Sequence, residues 1–300
     1  MTTQGYTFYH FSFAGLEGEF ADFEKSLFVI VPVPYDATTS YGAGARRGPY
    51  AIIESSIQLE LYDDELNIDS YMYGIHTLPS LEPMIAPEMM QASIQECLTK
   101  IIKKGKIPIV IGGDHSISLA PIKTFYEAKE NFTVVHFDAH TDLREQYQGS
   151  KYSHACVMRR VSELNIPITQ IGIRSLSRED AEFLKSTPSI KTFFARNLFN
   201  NTDYSEIIDS IKTKKIYISF DVDAFDPSII PATGTPEPGG LVWYQVISII
   251  KELAQKFDII GFDVVELAPN TPSPSEFIVS KLIYKIIGYI TNKRRTESGY

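Results

Sequence analysis

Short apolar runs rich in Val, Ile and Phe alternate along this chain with stretches of helical periodicity, and that alternation confines it to an α/β architecture. The runs are Leu27–Val31, Ile107–Ile111, Thr133–Phe137, Gln170–Ile173, Lys215–Phe220 and Ile259–Val265. Most lack the polar alternation of a half-exposed strand, so they are predicted to lie buried on both faces of a mainly parallel sheet. Pro32 is expected to end the first. Pro87 opens a helix whose stripe is Met90, Ile94, Cys97, Leu98, Ile101 and Ile102, with Gly105 beyond its end. Leu241–Lys256 reads as a second helix. Ser273-Pro274-Ser275-Glu276 resembles a capping box opening a third, to about Ile290. No internal repeat or Ser/Gly-rich linker divides the chain, so residues 1–300 read as one domain.

Composition narrows the class. With 300 residues and 44% hydrophobic content, the chain can bury a sizeable core. A formal net charge of -9 disfavours non-specific nucleic-acid binding, which needs a basic surface, and is compatible with a cationic ligand. The two cysteines, Cys97 and Cys156, form neither a disulfide framework nor a CxxC metal site, and Cys156 is read as a packed thiol. The N-terminus lacks the basic-then-apolar order of a signal peptide. No apolar run approaches the roughly 20 residues of a membrane span. A cytoplasmic location without membrane contact is therefore expected. Lys293-Arg294-Arg295 is expected to be a solvated tail.

Ligands of parallel α/β sheets bind beyond the carboxyl ends of the strands. Four predicted strands run directly into polar clusters: Gly112-Gly113-Asp114-His115-Ser116, Asp138-Ala139-His140-Thr141-Asp142, Asp221-Val222-Asp223 and Glu266. They should converge on one rim. Side chains two apart in extended backbone point the same way, so Asp138, His140 and Asp142 can face one point, and Asp221 and Asp223 another. His115 joins them. Carboxylates crowded in this way repel one another, and divalent cations relieve the repulsion. Six donors suit a metal pair about 3.5–4 Å apart. Four oxygen donors, two imidazoles and no thiolate favour Mn²⁺ over a structural Zn²⁺, with Co²⁺, Ni²⁺ and Fe²⁺ as possible substitutes. Asp114 either caps the local turn or supports a ligand. Four of the six histidines fall between His115 and His154. His136 is expected to face the side opposite Asp138.

At these residues the chain resembles the ureohydrolase family of arginases and agmatinases. The matching stretches are Gly112-Gly113-Asp114-His115-Ser116, Phe137-Asp138-Ala139-His140-Thr141-Asp142, Ser219 to Pro227 and Asp263-Val264-Val265-Glu266, with further matches at Pro34 to Tyr41 and Gly234 to Gly240. The resemblance implies a three-layer α/β/α fold, a binuclear manganese centre and release of urea from a small cationic guanidino compound. It implies that His115 and Asp142 complete one metal site, His140 and Asp223 the other, and that Asp138 and Asp221 bridge both. The pair would supply a bridging hydroxide at neutral pH, where bulk water has a pKa of about 15.7. Glu266 matches the guanidinium-binding carboxylate, and a carboxylate can accept paired hydrogen bonds from that planar cation. His154 matches the proton-shuttling histidine, with an ordinary pKa of about 6.5 suited to protonating the departing amine. Ala155 stands where many members have glycine.

Leu143-Arg144-Glu145-Gln146-Tyr147 replaces the neutral polar residues with which arginases hold an amino-acid head group, so the chain looks like the agmatinase branch. Agmatine plus water giving putrescine and urea is the expected reaction. Aminopropylagmatine, guanidinobutyrate and arginine are the alternative substrates, and a non-catalytic metal-binding relative with a scaffold role is the alternative class. The family usually forms homotrimers or homohexamers, and the same is expected here.

Overall fold

The computed structural model describes residues 11–269 and 273–297. Its strands are β1 (Phe28–Val33), β2 (Tyr62–Asp63), β3 (Ile68–Asp69), β4 (Ile75–Thr77), β5 (Ile107–Gly112), β6 (Phe132–Phe137), β7 (Ile168–Ile173), β8 (Ile190–Phe194), β9 (Lys215–Asp221) and β10 (Asp258–Val265). Eight of them form one sheet in the order β4-β1-β5-β10-β9-β6-β7-β8, and every neighbouring pair is parallel. β2 and β3 make a separate antiparallel pair.

The runs lacking polar alternation are apolar because helices cover both faces. Phe28, Ile30, Ile109, Val135, Phe220 and Phe262 pack on one side with helices Gly48–Ser56, Trp243–Lys256 and Ser275–Glu297. Val29, Val31, Val110 and Val134 face the other, against helices Pro87–Lys103, Leu119–Glu127 and Val157–Glu163. Each fully buried Val, Ile or Phe contributes about 1.5–3 kcal/mol. The result is the three-layer α/β/α architecture. Among the described residues no helix is long and apolar enough to cross a membrane.

Three local readings are corrected. Pro32 does not end β1 but pairs with Ile111 inside it. Its missing N–H would point toward β4, which has already ended at Thr77, the residue after the partner of Val29. Lys293, Arg294 and Arg295 are not a tail, because the last helix runs past Ile290 to Glu297 and Lys293 Nζ lies 2.7 Å from Asp258. Edge strands β4 and β8 had no sequence signal. Each buries only its first residue, so neither shows the two-sided apolar run of a central strand.

A buried ion-pair group ties the β2–β3 pair to the last helix. Lys285 Nζ donates to Asp63 Oδ2 at 2.9 Å and Glu65 Oε2 at 2.6 Å, and Asp63 is 3% exposed. Lys285→Met strands a buried carboxylate, so it is expected to destabilise the chain by about 3 kcal/mol. Thermal or urea unfolding reads this, and a loss below about 1 kcal/mol would show that the pair contributes little.

Candidate active site

The parallel sheet brings the carboxyl ends of β5, β6, β9 and β10 to one rim. β5 ends in Gly112 and the chain turns at Gly113, where an added Cβ would meet Tyr35 O at 1.8 Å. Only glycine allows that approach, which Asp114 N exploits by donating to the same carbonyl at 2.7 Å. Asp114 then caps the turn His115–Ser118 by accepting from Ser116 N, and so sets His115. Asp138 follows β6 directly, and Asp221 is the last residue of β9. Asp142 (φ 52°) and Glu266 (φ 66°) adopt left-handed backbone without being glycine. Such residues cost of order 1 kcal/mol or more and persist where their surroundings hold them. Glu266 is held twice: its N–H donates to Gly113 O at 2.8 Å, and its Oε1 accepts from His115 N at 2.7 Å.

The six expected ligands lie together. His115 Nδ1 is 3.1 Å from Asp138 Oδ2, 3.2 Å from Asp142 Oδ2 and 3.2 Å from Asp221 Oδ2. His140 Nδ1 is 3.0 Å from Asp223 Oδ2 and 3.4 Å from Asp138 Oδ1. Asp138 is therefore shared by both halves. Asp221 touches the His115 half, and its other oxygen accepts from Asp223 N at 2.8 Å. All four aspartates are buried. Burial raises the Asp221 carboxyl well above the usual range, and Asp223 and Asp138 add to it. Burial likewise raises Asp223. Burial opposes an ionised Asp138 too, but His136, His115 and His140 outweigh it and hold that carboxyl well below the ordinary value. Burial disfavours imidazolium at His115, yet Asp138, Asp142 and Asp221 raise it well above normal. At His140 burial is again outweighed, here by Asp223 and Asp138, which push the ring up to about 12.

The donor set fits divalent cations. His115 Nδ1 is buried with no proper hydrogen-bond partner, although three carboxylate oxygens surround it. Among the described residues, two groups have ligand atoms within 4.8 Å of one another: His115, His136, Asp138 and Asp142, and then Asp138, His140 and Asp223. Cations replacing the histidine protons would satisfy the orphaned nitrogen and relieve the carboxylates.

His136 does not face away from Asp138. The two are two residues apart, so strand alternation puts them on one side, and His136 Nε2 lies 2.8 Å from Asp138 Oδ2. Gln170 Nε2 sits 3.1 Å from the other ring nitrogen of His136 and donates to Thr141 O at 2.8 Å. Behind His115, Ser219 Oγ is 3.0 Å from Nε2 and donates to Asp263 Oδ1 at 3.0 Å. Ser118 and Tyr217 also donate to Asp263, which is fully buried and whose carboxyl burial pushes up. Sequence reading assigns Asp263 no role, because its partners lie on β9 and on the turn His115–Ser118, both distant in the chain. Asp114 both caps and supports: its Oδ2 accepts from Thr38 N at 2.8 Å and Thr38 Oγ1 at 3.0 Å. Thr38 Oγ1 in turn accepts from His154 N at 3.0 Å and lies 3.4 Å from His154 Nδ1. That engagement leaves Nε2 as the ring atom available to the pocket. Cys156 is a buried thiol, pushed up to about 11 chiefly by burial.

Above the cluster opens a cavity of about 250 Å³ whose lining includes His115, His140, Asp142, His154, Asp221 and Glu266. Burial, reinforced by Asp114, raises the Glu266 carboxyl well above its ordinary value. A guanidinium beside it would favour the ionised form.

This sheet carries a paired His/Asp cluster at its carboxyl rim, and residues 26–288 match the arginase family, a class of hydrolases. The chain belongs to that family and is a ureohydrolase of its agmatinase group. It is 40% identical over 278 residues to the N(1)-aminopropylagmatine ureohydrolase of Synechocystis sp., covering 90% of each chain. It is 34% identical to the agmatinase of Pyrococcus horikoshii, over 89% of this chain and 93% of that one. Among solved structures, the agmatine ureohydrolase of Thermoplasma volcanium superposes with a TM-score of 0.84 at 32% identity, over 93% of this chain and 94% of that one.

Proposed function

We propose that this chain releases urea from an amine-tailed guanidino compound, agmatine or its N(1)-aminopropyl derivative. Two manganese ions would be held by His115, Asp138, His140, Asp142, Asp221 and Asp223. The observation that carries this reading is Asp138, shared by both halves of a buried His/Asp centre beneath a pocket that also contains Glu266. The resemblance to the agmatinase branch puts agmatine first. The 40% likeness to a protein named for aminopropylagmatine puts that compound beside it.

When bound, the divalent pair supplies Lewis acidity that lowers the pKa of a water from about 15.7 toward 7. The protein's own groups do the rest. Glu266 accepts hydrogen bonds from the guanidinium and orients its carbon toward the centre. Water adds to the guanidino carbon, the bond from that carbon to the tail nitrogen breaks, and the tail leaves as an amine. His154, with Nδ1 engaged by Thr38, delivers the proton that nitrogen needs from Nε2. Agmatine would give putrescine and urea, and aminopropylagmatine would give spermidine and urea.

The test is urea release by manganese-loaded protein from agmatine, aminopropylagmatine, guanidinobutyrate and arginine side by side. The first two are expected to lead in kcat/KM. Arginine as the best substrate would refute the substrate class. No urea from any of them would favour a non-catalytic relative.

A further inference from the structure

A histidine that delivers a proton must present one particular ring nitrogen to the substrate, and the ring alone does not decide which. The hydrogen bonds behind His154 do. Asp114 is fully buried, and its carboxylate meets four donors. Oδ1 accepts from Ser116 N at 3.0 Å and from the Ser116 hydroxyl. Oδ2 accepts from Thr38 N at 2.8 Å and from Thr38 Oγ1 at 3.0 Å. The segment that brings Thr38 there is held from the other side as well, because Asp114 N donates to Tyr35 O at 2.7 Å.

A hydroxyl has one hydrogen to give and two lone pairs to offer. Thr38 Oγ1 gives its hydrogen to Asp114 Oδ2. One lone pair takes the backbone N–H of His154 at 3.0 Å, a group that can only donate. The other faces His154 Nδ1 at 3.4 Å, so that nitrogen must be the donor. Ser153 Oγ, 3.3 Å from the same nitrogen, can rotate to accept from it too. The ring is also wedged from the side. Tyr147 meets it edge-on, with centroids 5.7 Å apart and planes at 85°, and the Arg144 guanidinium lies 5.1 Å from the Tyr147 centroid. With the Nδ1 hydrogen committed to Thr38, Nε2 is the nitrogen that exchanges a proton with the cavity.

We infer that Thr38 and Asp114 are positioning residues for proton delivery, forming a carboxylate–hydroxyl–imidazole relay that fixes the tautomer and tilt of His154. The inference rests on the urea-releasing function proposed above and adds how its proton donor is held. As the bond from the guanidino carbon to the tail nitrogen breaks, the Nε2 hydrogen passes to that nitrogen. The ring keeps its Nδ1 hydrogen, and solvent returns a proton to Nε2. Asp114 also caps the turn that carries His115. One carboxylate thereby sets an expected metal ligand on one side and the proton donor on the other, which keeps the two in register.

The experiment compares the wild type with Thr38→Val, Thr38→Ser, His154→Gln and the double variant Thr38→Val/His154→Gln, all manganese-loaded, on agmatine and aminopropylagmatine. Val matches Thr in shape and keeps the backbone N–H for Asp114, so the hydroxyl alone is lost. Thr38→Val is expected to bind as much manganese as the wild type and to keep its KM. Its kcat should fall about 3–10-fold, the change that the net contribution of one hydrogen bond gives. Thr38→Ser should restore most of it. In the His154→Gln background the same Thr38→Val change should matter much less, because residues that act through one another are not additive. An undiminished loss in that background would overturn the inference. So would an unchanged kcat in Thr38→Val, or a loss of manganese there, which would make Thr38 a structural prop of the turn. A near-normal kcat in His154→Gln would remove the relay while urea release still stood. A wild type that releases no urea would remove the function and the relay together.

Discussion

Asp138→Asn is expected to lose bound manganese and urea release together. Asp138 contacts His115, His140 and His136 at once, so its side chain touches histidines in both halves of the centre. The amide is the same size but carries no charge, and its NH₂ group would face nitrogen donors where an oxygen now accepts. Changing outer partners of metal ligands costs about 10–100-fold in metal affinity, and a shared ligand should cost more. Elemental analysis after dialysis should find less than one manganese per chain. Thermal unfolding gives an independent reading. A metal present at about 100 times its Kd stabilises the folded chain by about 2.7 kcal/mol, so the wild type should melt higher with added Mn²⁺. The variant should gain little. Unchanged metal content would refute the shared position of Asp138.

Glu266→Gln is expected to separate binding of the cation from binding of the metals. Gln can still accept from His115 N, so the turn that sets His115 should survive. What disappears is the negative charge opposite a guanidinium. Removing one partner of a buried charged pair costs about 2–5 kcal/mol, so kcat/KM should fall by about 30- to 5,000-fold. Metal content should stay near that of the wild type. A near-normal kcat/KM would remove Glu266 from the mechanism, and loss of metal would make it a structural prop of His115 instead.

Much of this was legible in the sequence, for physical reasons. Strands buried on both faces must be apolar throughout, so the six central runs announced themselves. Parallel pairing then forced the clusters after β5, β6, β9 and β10 onto one rim, where crowded carboxylates form a set that could hold cations. The edges of the sheet were not legible, because β4 and β8 bury too little to carry a pattern. His136 was legible but misplaced, since strand alternation alone sets it beside Asp138. Asp263 and Thr38 act through partners distant in the chain, which spacing cannot show.

The most direct test of a two-cation urea-releasing centre is a titration of metal-stripped protein with Mn²⁺, followed simultaneously by bound metal and by urea formed from agmatine or aminopropylagmatine. Urea release should reach its full rate only as binding saturates at about two ions per chain, the number a pair-assisted hydrolysis needs. Full activity at one ion per chain, or in the stripped protein, would contradict it.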